Sequence, residues 1–397
     1  MLGIFDSHPV QYRAPLYREL QRLVPGAFHV FYATDNSLTG RVDPGFGRKI
    51  TWDEDLLQDY PSTVLHSEHA HRTGGALSLT GHGVAGIFKS HRFTAVLQTQ
   101  WLYTYDWRVL WEARRRGIPV WVRQETQDEA FRRGWLKSVV RSLGYRVLYS
   151  QVAHAFAIGQ LNRSHLLLHG IPARKISMTH YCTLDRFETM GVTETARLGS
   201  AQRELLGIER EDLVIGFFGK LIPKKNPALL IDAIRVLESM GKRRLCLLFV
   251  GSGKLEGALR EQAELLAQRG VRVIFAGFVN QSGITPFYAA TDILVLPSDR
   301  MGETWGLVVN EALQAGCSVV ISSAAGCHVE FGDWPHCKVF SEGDAGELVE
   351  SILHLADHPP ANRLWCRPEI DMYSMKAAAK AIARMIAGAA WPELLTP

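Results

Sequence analysis

The feature that most constrains this chain is an alternation in its second half. Short β-branched and aromatic runs, LVIGFF (213–218), LCLLFV (245–250), VRVIFA (271–276), DILVLP (292–297) and SVVIS (318–322), are separated by helical patterns such as NPALLIDAIRVLESMG (226–241) and KLEGALREQAELLAQRG (254–270). The runs are almost wholly apolar, as strands covered on both faces must be. Glycine closes several of the helical stretches, where a left-handed residue is wanted. Strand and helix in turn predict βαβ units and a doubly wound parallel sheet, a Rossmann-like domain.

The first half repeats the theme less regularly. LGIF (2–5), HVFY (29–32), AVLQ (95–98), VWVR (120–123) and AHAFAI (153–158) read as strands, and LYRELQRLV (16–24), RVLWEARRRG (108–117) and WLKSVVRSLGYRVL (135–148) as helices. Residues 36–92, rich in Gly, His and Trp, read as one long irregular stretch, which in a compact domain is functional or poorly ordered. At 397 residues the chain exceeds one ordinary core. Apolar periodicity lapses in FETMGVTETARLGSAQ (187–202). The expectation is therefore an α/β chain of two Rossmann-like domains, 1–190 and 191–374, with a last helix at about 375–397 packing back on the first. Domains of this kind facing each other bind ligand in the cleft between the carboxyl ends of their sheets.

Composition removes other classes. Hydrophobic content of 47% and charged content of 21% exclude disorder, and a net charge of +4 is too small to argue for nucleic acid. No apolar stretch reaches the roughly 18 residues of a membrane span. The opening MLGIFDSHPVQY meets Asp6 too early for a signal peptide. The six cysteines, Cys182, Cys246, Cys317, Cys327, Cys337 and Cys366, show no CxxC spacing and several lie in apolar runs. Reduced, buried thiols in a cytoplasmic protein fit that pattern best.

The chemistry is expected in loops that follow strands. After LVIGFF comes Gly219-Lys220-Leu221-Ile222-Pro223-Lys224-Lys225-Asn226. Cations at the start of a helix oppose its dipole, which favours an anionic ligand, diphosphate above all, over a merely solvated loop. After DILVLP comes Ser298-Asp299-Arg300-Met301-Gly302-Glu303-Thr304-Trp305-Gly306-Leu307, with Glu303 in the loop and Glu311 inside the following helix. Eight residues separate these carboxylates, about 12 Å at 1.5 Å per residue. The N–H groups of a helix N-terminus lie between them, a natural phosphate site. Each carboxylate can accept hydrogen bonds from sugar hydroxyls; equally, each could serve only the dipole or a neighbour. After SVVIS, the small residues Ser322 to Gly326 permit close backbone approach, a weaker signal.

Together the loops resemble a family. FFGKLIPKKN is similar to the FxGRLxxxKG loop of glycosyltransferase family 4, the retaining GT-B enzymes, and DILVLPSDRMGETWGLVVNEALQAGCSVVIS resembles its "D…PS…E-x7-E…A-x-G…V" block. The resemblance covers most of 213–330. It implies a GT-B fold and a nucleotide diphosphate-sugar donor. Glu303 would hold the hexose, Glu311 the ribose, and Lys220 with Lys225 the diphosphate; Gly219, Thr304, Trp305, Gly306 and Leu307 complete the donor side. Front-face transfer with retention is implied, without metal or cofactor. Lys220 stands where arginine is commoner, and Ala325-Gly326 and Val329-Glu330 replace the usual Gly-Gly and Pro-Glu of the third loop.

The N-terminal half resembles a subset of that family opening with "SHPxQY…PLYREL", here Ser7-His8-Pro9-Val10-Gln11-Tyr12 and Pro15-Leu16-Tyr17. It lacks the glycine-rich loop most relatives carry after the first strand, and reads Arg123-Gln124-Glu125-Thr126 where many have histidine. His8, Gln11, Tyr12, Asp106, Arg123 and Glu125 are the acceptor-side candidates, His8 with the best case and Lys220, Lys225 and Glu303 beside it as catalytic. His66, His69 and His71 lack the company of a metal site. VGSGKLEG (250–257) imitates a phosphate loop but places Leu255 where Ser or Thr would follow the lysine. FRRGWLKSVVRSLGYR (131–146) is basic and amphipathic. It could lie on the inner face of a membrane, where a lipid-linked acceptor would be natural, but packing of its apolar stripe on the N-terminal sheet is the favoured reading. Two rivals remain: a non-hydrolysing sugar-nucleotide 2-epimerase, and a non-catalytic nucleotide-sugar-binding module.

Overall fold

A computed structural model describes residues 1–38, 42, 43, 45, 48, 49, 52–65, 77–241 and 243–390. Two parallel sheets organise them. The first comprises β1 (Leu2–Asp6), β2 (Phe28–Tyr32), β3 (Ser62–Val64), β4 (Ala95–Gln98), β5 (Val120–Val122), β6 (His154–Ala157) and β7 (Ile176–Met178), in the order β3-β2-β1-β4-β5-β6-β7. The second comprises β8 (Leu213–Phe218), β9 (Leu245–Val250), β10 (Arg272–Gly277), β11 (Ile293–Leu296), β12 (Ser318–Ser322) and β13 (Cys337–Phe340), in the order β10-β9-β8-β11-β12-β13. Every neighbouring pair is parallel. Both sheets reverse direction beside their first strand, which opens a crevice at the carboxyl end of each reversal. Across the cleft the segments after β1 and β5 meet the loops after β8 and β11.

Cores lie on both faces of each sheet, as doubly wound strands require. The helix Ala14–Leu23 buries Leu16, Tyr17 and Leu20, and the helix Met375–Ala390 lays Met375, Ala378, Ala379 and Ile382 in the same cluster. The last described helix therefore belongs to the layer over the first sheet. All six cysteines are buried and unpaired.

Three sequence expectations need correction. The stretch 36–92 contains β3 and the helix Val84–Ser90; a three-residue edge strand and a seven-residue helix with Gly86 inside it are too short to show a period. His66, His69 and His71 lie outside the described residues. The aperiodic 187–202 is largely the helix Val192–Leu205, which packs by small residues. A Cβ on Gly199 would stand 2.3 Å from the Ala289 carbonyl oxygen, so the two backbones touch where a larger side chain could not fit.

The third concerns the helix Trp135–Tyr149, whose apolar stripe does not pack on the sheet. Only Leu148 and Tyr149 are buried, and Trp135, Leu136, Val139, Val140, Leu143 and Val147 are exposed. Its inward side is polar and aromatic instead. Arg141 donates to Asp128, Ser142 Oγ lies 3.2 Å from His169 Nδ1, and the Tyr145 ring meets His165 edge-on at 4.7 Å.

Candidate functional site

The loops expected on the donor side are held by backbone contacts, one of which only glycine allows. Gly219 leaves β8 at φ +135° and donates to Val250 O at 2.9 Å, and Leu221 N donates to Ser252 O at 3.0 Å. A Cβ on Gly251, itself at φ +144°, would fall 1.8 Å from the Gly219 oxygen. The glycines of VGSGKLEG thus serve to seat the neighbouring loop. Beyond half-buried Lys220, one 3-10 turn, Pro223–Lys225, carries two lysines across to the loop after β11. Asp299 N donates to Lys224 O at 2.9 Å and Asn226 Nδ2 to Asp299 Oδ1 at 3.0 Å, which locks the two loops together.

Glu303 sits at that junction, 7% exposed. Its Oε2 is 2.6 Å from Lys225 Nζ and 3.7 Å from Lys224 Nζ, and Lys224 also donates to Gly302 O at 2.7 Å. Burial works against the Glu303 charge, yet the two lysines hold its carboxyl below the usual range. Burial in turn lowers Lys224. The loop after β12 braces the site from behind, with Gly326 N donating to Glu303 O and Cys327 N to Trp305 O, each at 3.1 Å. Trp305 is buried and donates from Nε1 to Asn310 Oδ1 at 2.8 Å.

The helix Leu307–Gln314 starts at Gly306, whose φ of +117° and 2.5 Å Cβ clearance to Leu296 exclude a side chain. Gly306, the residue before the helix, has no side chain with which to cap the first N–H groups. Glu311 follows just over one turn in, where Tyr288 OH donates to Oε2 at 2.5 Å and the Tyr288 ring stacks on Phe218 at 4.1 Å. Burial pushes the Glu311 carboxyl up to about 6 against that hydrogen bond. Glu311, Gly219, Val250, Phe278 and Leu307 line a cavity of 230 Å³, and Gln11 and Tyr12 close it from the first domain. A larger open depression of 1060 Å³, between Ala14–Leu23 and Met375–Ala390, is lined by charges of both signs and by no strand-end loop of the second sheet.

Across the cleft the first domain carries an ionic chain. Asp6, fully buried at the end of β1, accepts from Arg13 Nη1 at 2.6 Å, Ser7 N at 2.8 Å, Thr99 Oγ1 at 2.9 Å and Tyr17 OH at 3.1 Å. Arg13 Nη2 then donates to Glu125 Oε1 at 3.2 Å, and Tyr181 OH donates to the same oxygen. The other Glu125 oxygen accepts from Thr304 Oγ1 at 3.5 Å. Glu125 is thereby held next to the residue that follows Glu303. The His8 ring Nδ1 is 2.8 Å from Ser7 Oγ, and burial lowers its pKa.

Two candidates make their hydrogen bonds outside this ionic chain, although the Arg123 guanidinium lies over the Tyr181 ring at 5.6 Å. Arg123 bonds Thr179 Oγ1 and O, both at 3.2 Å, and so ties the end of β5 to the residue after β7. Asp106 accepts from Tyr103 N at 2.8 Å in the first turn of Thr104–Arg115. The 230 Å³ cavity is lined by neither, nor by Lys225, Glu303, His8 or Glu125, which lie beside it. Sequence reasoning passed over Asp6, Arg13, Tyr181 and Tyr288, and left Lys224 out of the site. Arg13 follows directly on the SHPVQY segment, and Lys224 was visible as half of a Lys-Lys pair; the tyrosines carried no signal.

Among the described residues, ligand atoms of Asp128, His165 and His169 lie within 4.8 Å of one another. Arg141 already donates to that carboxylate. The far ring nitrogens contact Tyr149 OH at 2.9 Å and Ser142 Oγ at 3.2 Å. Burial alone would raise Asp128, but His165, Arg141 and His169 together lower it. The cluster is a saturated hydrogen-bond hub that fastens the helix Trp135–Tyr149.

Two Rossmann-like domains facing across a cleft lined from both sides define the GT-B fold, and solved structures agree. The chain aligns over 98% of its length, and 98% of theirs, with a glycosyltransferase from Rickettsia africae (TM-score 0.68, 13% identity). It aligns similarly with Anabaena HepE in complex with UDP and glucose (TM-score 0.62, 16% identity, 98% and 96% covered). Residues 200–365, which hold every residue expected from the sequence on the donor side, match the family described as Glycosyl transferases group 1. Among curated proteins the chain is 35% identical over 144 residues to an uncharacterized glycosyltransferase of Methanocaldococcus jannaschii, covering 34% of this chain. It is 31% identical over 167 residues to a D-inositol 3-phosphate glycosyltransferase of Catenulispora acidiphila, covering 40% of this chain. The matched segments span 35% and 38% of those relatives' lengths.

Proposed function

We propose that this protein is a retaining glycosyltransferase that moves a hexose-type sugar from a nucleotide diphosphate-sugar to an acceptor, without a metal ion. The observation that carries the reading is the buried Glu303–Lys225 pair at 2.6 Å, set beside the N-terminus of Leu307–Gln314 and facing Glu125 through Thr304. Such a pair keeps an anion-binding cation and a hydroxyl-binding carboxylate in place until a ligand supplies partners for both. On donor entry the diphosphate takes Lys225 and the helix N–H groups, and sugar hydroxyls take Glu303. Glu311, already hydrogen-bonded to Tyr288, accepts from the ribose, with the base in the 230 Å³ cavity.

In the reaction the bond from the anomeric carbon to the β-phosphate oxygen breaks, and its electrons stay on the diphosphate. Lys225, Lys224 and the helix tip stabilise that charge where it develops, usually the largest catalytic contribution. The acceptor oxygen bonds to the same face of the anomeric carbon and its proton passes to the leaving phosphate oxygen. Glu125 and His8 orient the acceptor, Glu125 fixed by Arg13 and Tyr181.

The test is a thermal-shift screen against UDP, GDP, ADP and their sugars, followed by transfer assays in EDTA with the anomer of the product read by NMR. UDP-glucose is the first donor to try, since Anabaena HepE has also been solved in complex with UDP-glucose. Stabilisation by one nucleoside diphosphate and full activity in EDTA are expected; a strict Mg²⁺ requirement or an inverted product would refute the mechanism. Turnover of a nucleotide sugar with no acceptor present would favour the epimerase instead.

A further inference from the structure

The helix Trp135–Tyr149 presents its apolar side to solvent: Trp135 is 78% exposed, Leu136 61%, Val140 64%, Leu143 60% and Val147 70%. Leu136, Val140, Leu143 and Val147 recur at the spacing of one helical face, so the exposure is a continuous stripe and not scattered residues. The helix Thr104–Arg115 adds Trp107 and Trp111, one turn apart and 49% and 65% exposed. Both helices cover the same face of the first sheet, because Val109 and Leu110 share one core cluster with Leu148 and Tyr149.

Exposed charge on these two helices has a single sign. Arg132, Lys137 and Arg146 flank the stripe, and Arg108, Arg114 and Arg115 flank the tryptophans, all exposed. From Ala130 to Tyr149 there is no Asp or Glu. On Thr104–Arg115 both carboxylates, Asp106 and Glu112, are buried. A protein interface would deplete charge around its apolar centre. Apolar and tryptophan side chains ringed by long cations are instead what the boundary of an anionic bilayer accommodates, with the cationic tips held at headgroup level. The inward side of Trp135–Tyr149 is fastened by Arg141, Ser142, Tyr145 and Tyr149 to the Asp128–His165–His169 hub, so turning the stripe inward would break those bonds.

We infer that this face docks on an anionic lipid surface. The docked segment adjoins the cleft: Gly302 N, beside Glu303, donates to Ala130 O at 2.7 Å, and Arg132 pairs with Glu342 at 2.8 Å. Docking does not depend on what the cleft holds, so it is measured without donor or acceptor.

The experiment is co-sedimentation of the full chain with vesicles of phosphatidylcholine alone or doped with phosphatidylglycerol. The wild-type protein should partition at least tenfold better onto the anionic vesicles, each cation brought to the surface being worth roughly fivefold. Leu136→Glu with Leu143→Glu, both at exposed positions, should lose at least tenfold. Lys137→Glu with Arg146→Glu should lose the preference for phosphatidylglycerol. Leu205→Glu, an equally exposed apolar position on the second domain, should change nothing. Unfolding curves of the variants that overlay the wild type exclude misfolding. Equal sedimentation of wild type and the Leu136/Leu143 variant would overturn the inference. So would a lipid-free dimer that those two substitutions dissociate, since the stripe would then be an interface between copies of this chain.

Discussion

Replacing Glu303 by Gln separates a ligand-binding role from a structural one, because the two predict opposite signs. Opposite charges about 4 Å apart attract by about 4 kcal/mol at an effective dielectric of about 20. Breaking a fully buried pair costs about 3–5 kcal/mol, because one charge is orphaned. Here the lysine side chains are 15% and 31% exposed, and both can turn towards solvent. The expected loss of stability is therefore smaller, about 1–3 kcal/mol. Affinity for a nucleoside diphosphate should rise. Removing one negative charge about 8 Å from the proposed diphosphate site, at an effective dielectric of about 40, is worth about 1 kcal/mol for each unit of diphosphate charge, so at least roughly fivefold. Transfer should nevertheless fall by about 10- to 100-fold, the worth of a hydrogen bond from a sugar hydroxyl to a charged group. Urea unfolding, calorimetric titration with UDP, GDP and ADP, and initial rates measure the three effects. A variant that is less stable and also binds every diphosphate more weakly would show that Glu303 only props up the loop, and the donor-site reading would fail.

Other outcomes follow from named groups. Burial pushes Glu311 up to about 6, and the ionised carboxylate is the stronger acceptor for the proposed ribose hydrogen bonds, so nucleoside diphosphate affinity should fall below pH 6 more steeply in wild type than in Glu311→Gln; titrations at pH 5 and 7.5 give the ratio. Burial pushes Asp106 up to about 7, whereas the unfolded carboxyl ionises near 3.9. The fold therefore holds a proton that the unfolded chain has lost, and this contribution falls as pH rises through that window and is flat above it. Asp106→Asn should remove that part of the decline, seen by comparing urea midpoints at pH 5 and 8. Gly251→Ala should cost several kcal/mol or abolish folding, since its Cβ would meet a backbone oxygen at 1.8 Å in a strained backbone region; a normal unfolding curve would contradict the loop packing described.

What the sequence settled by itself is local. Apolar runs such as LVIGFF and SVVIS are strands because their length and β-branching admit little else, and helices between them dictate parallel pairing. The loops at the strand ends, with Glu303 and Glu311 on either side of a helix start, follow from short-range spacing, and so were legible before any fold was known. Partners distant in sequence were not. Lys224 reaches Gly302 across 78 residues, and Thr304 meets Glu125 across 179. Those pairings exist because β8 lies beside β11 and because the two domains face each other, neither of which a local pattern encodes.

The helix Trp135–Tyr149 shows the limit most clearly. Its amphipathic pattern says that one side is apolar, not which side faces the protein. Hydrophobic burial alone would turn Leu136, Val140 and Leu143 inward. The tertiary structure turns them outward, because Arg141, Ser142 and Tyr145 find fixed partners in Asp128, His169 and His165. Directional bonds to groups brought from other elements decided an orientation that non-directional hydrophobicity left open.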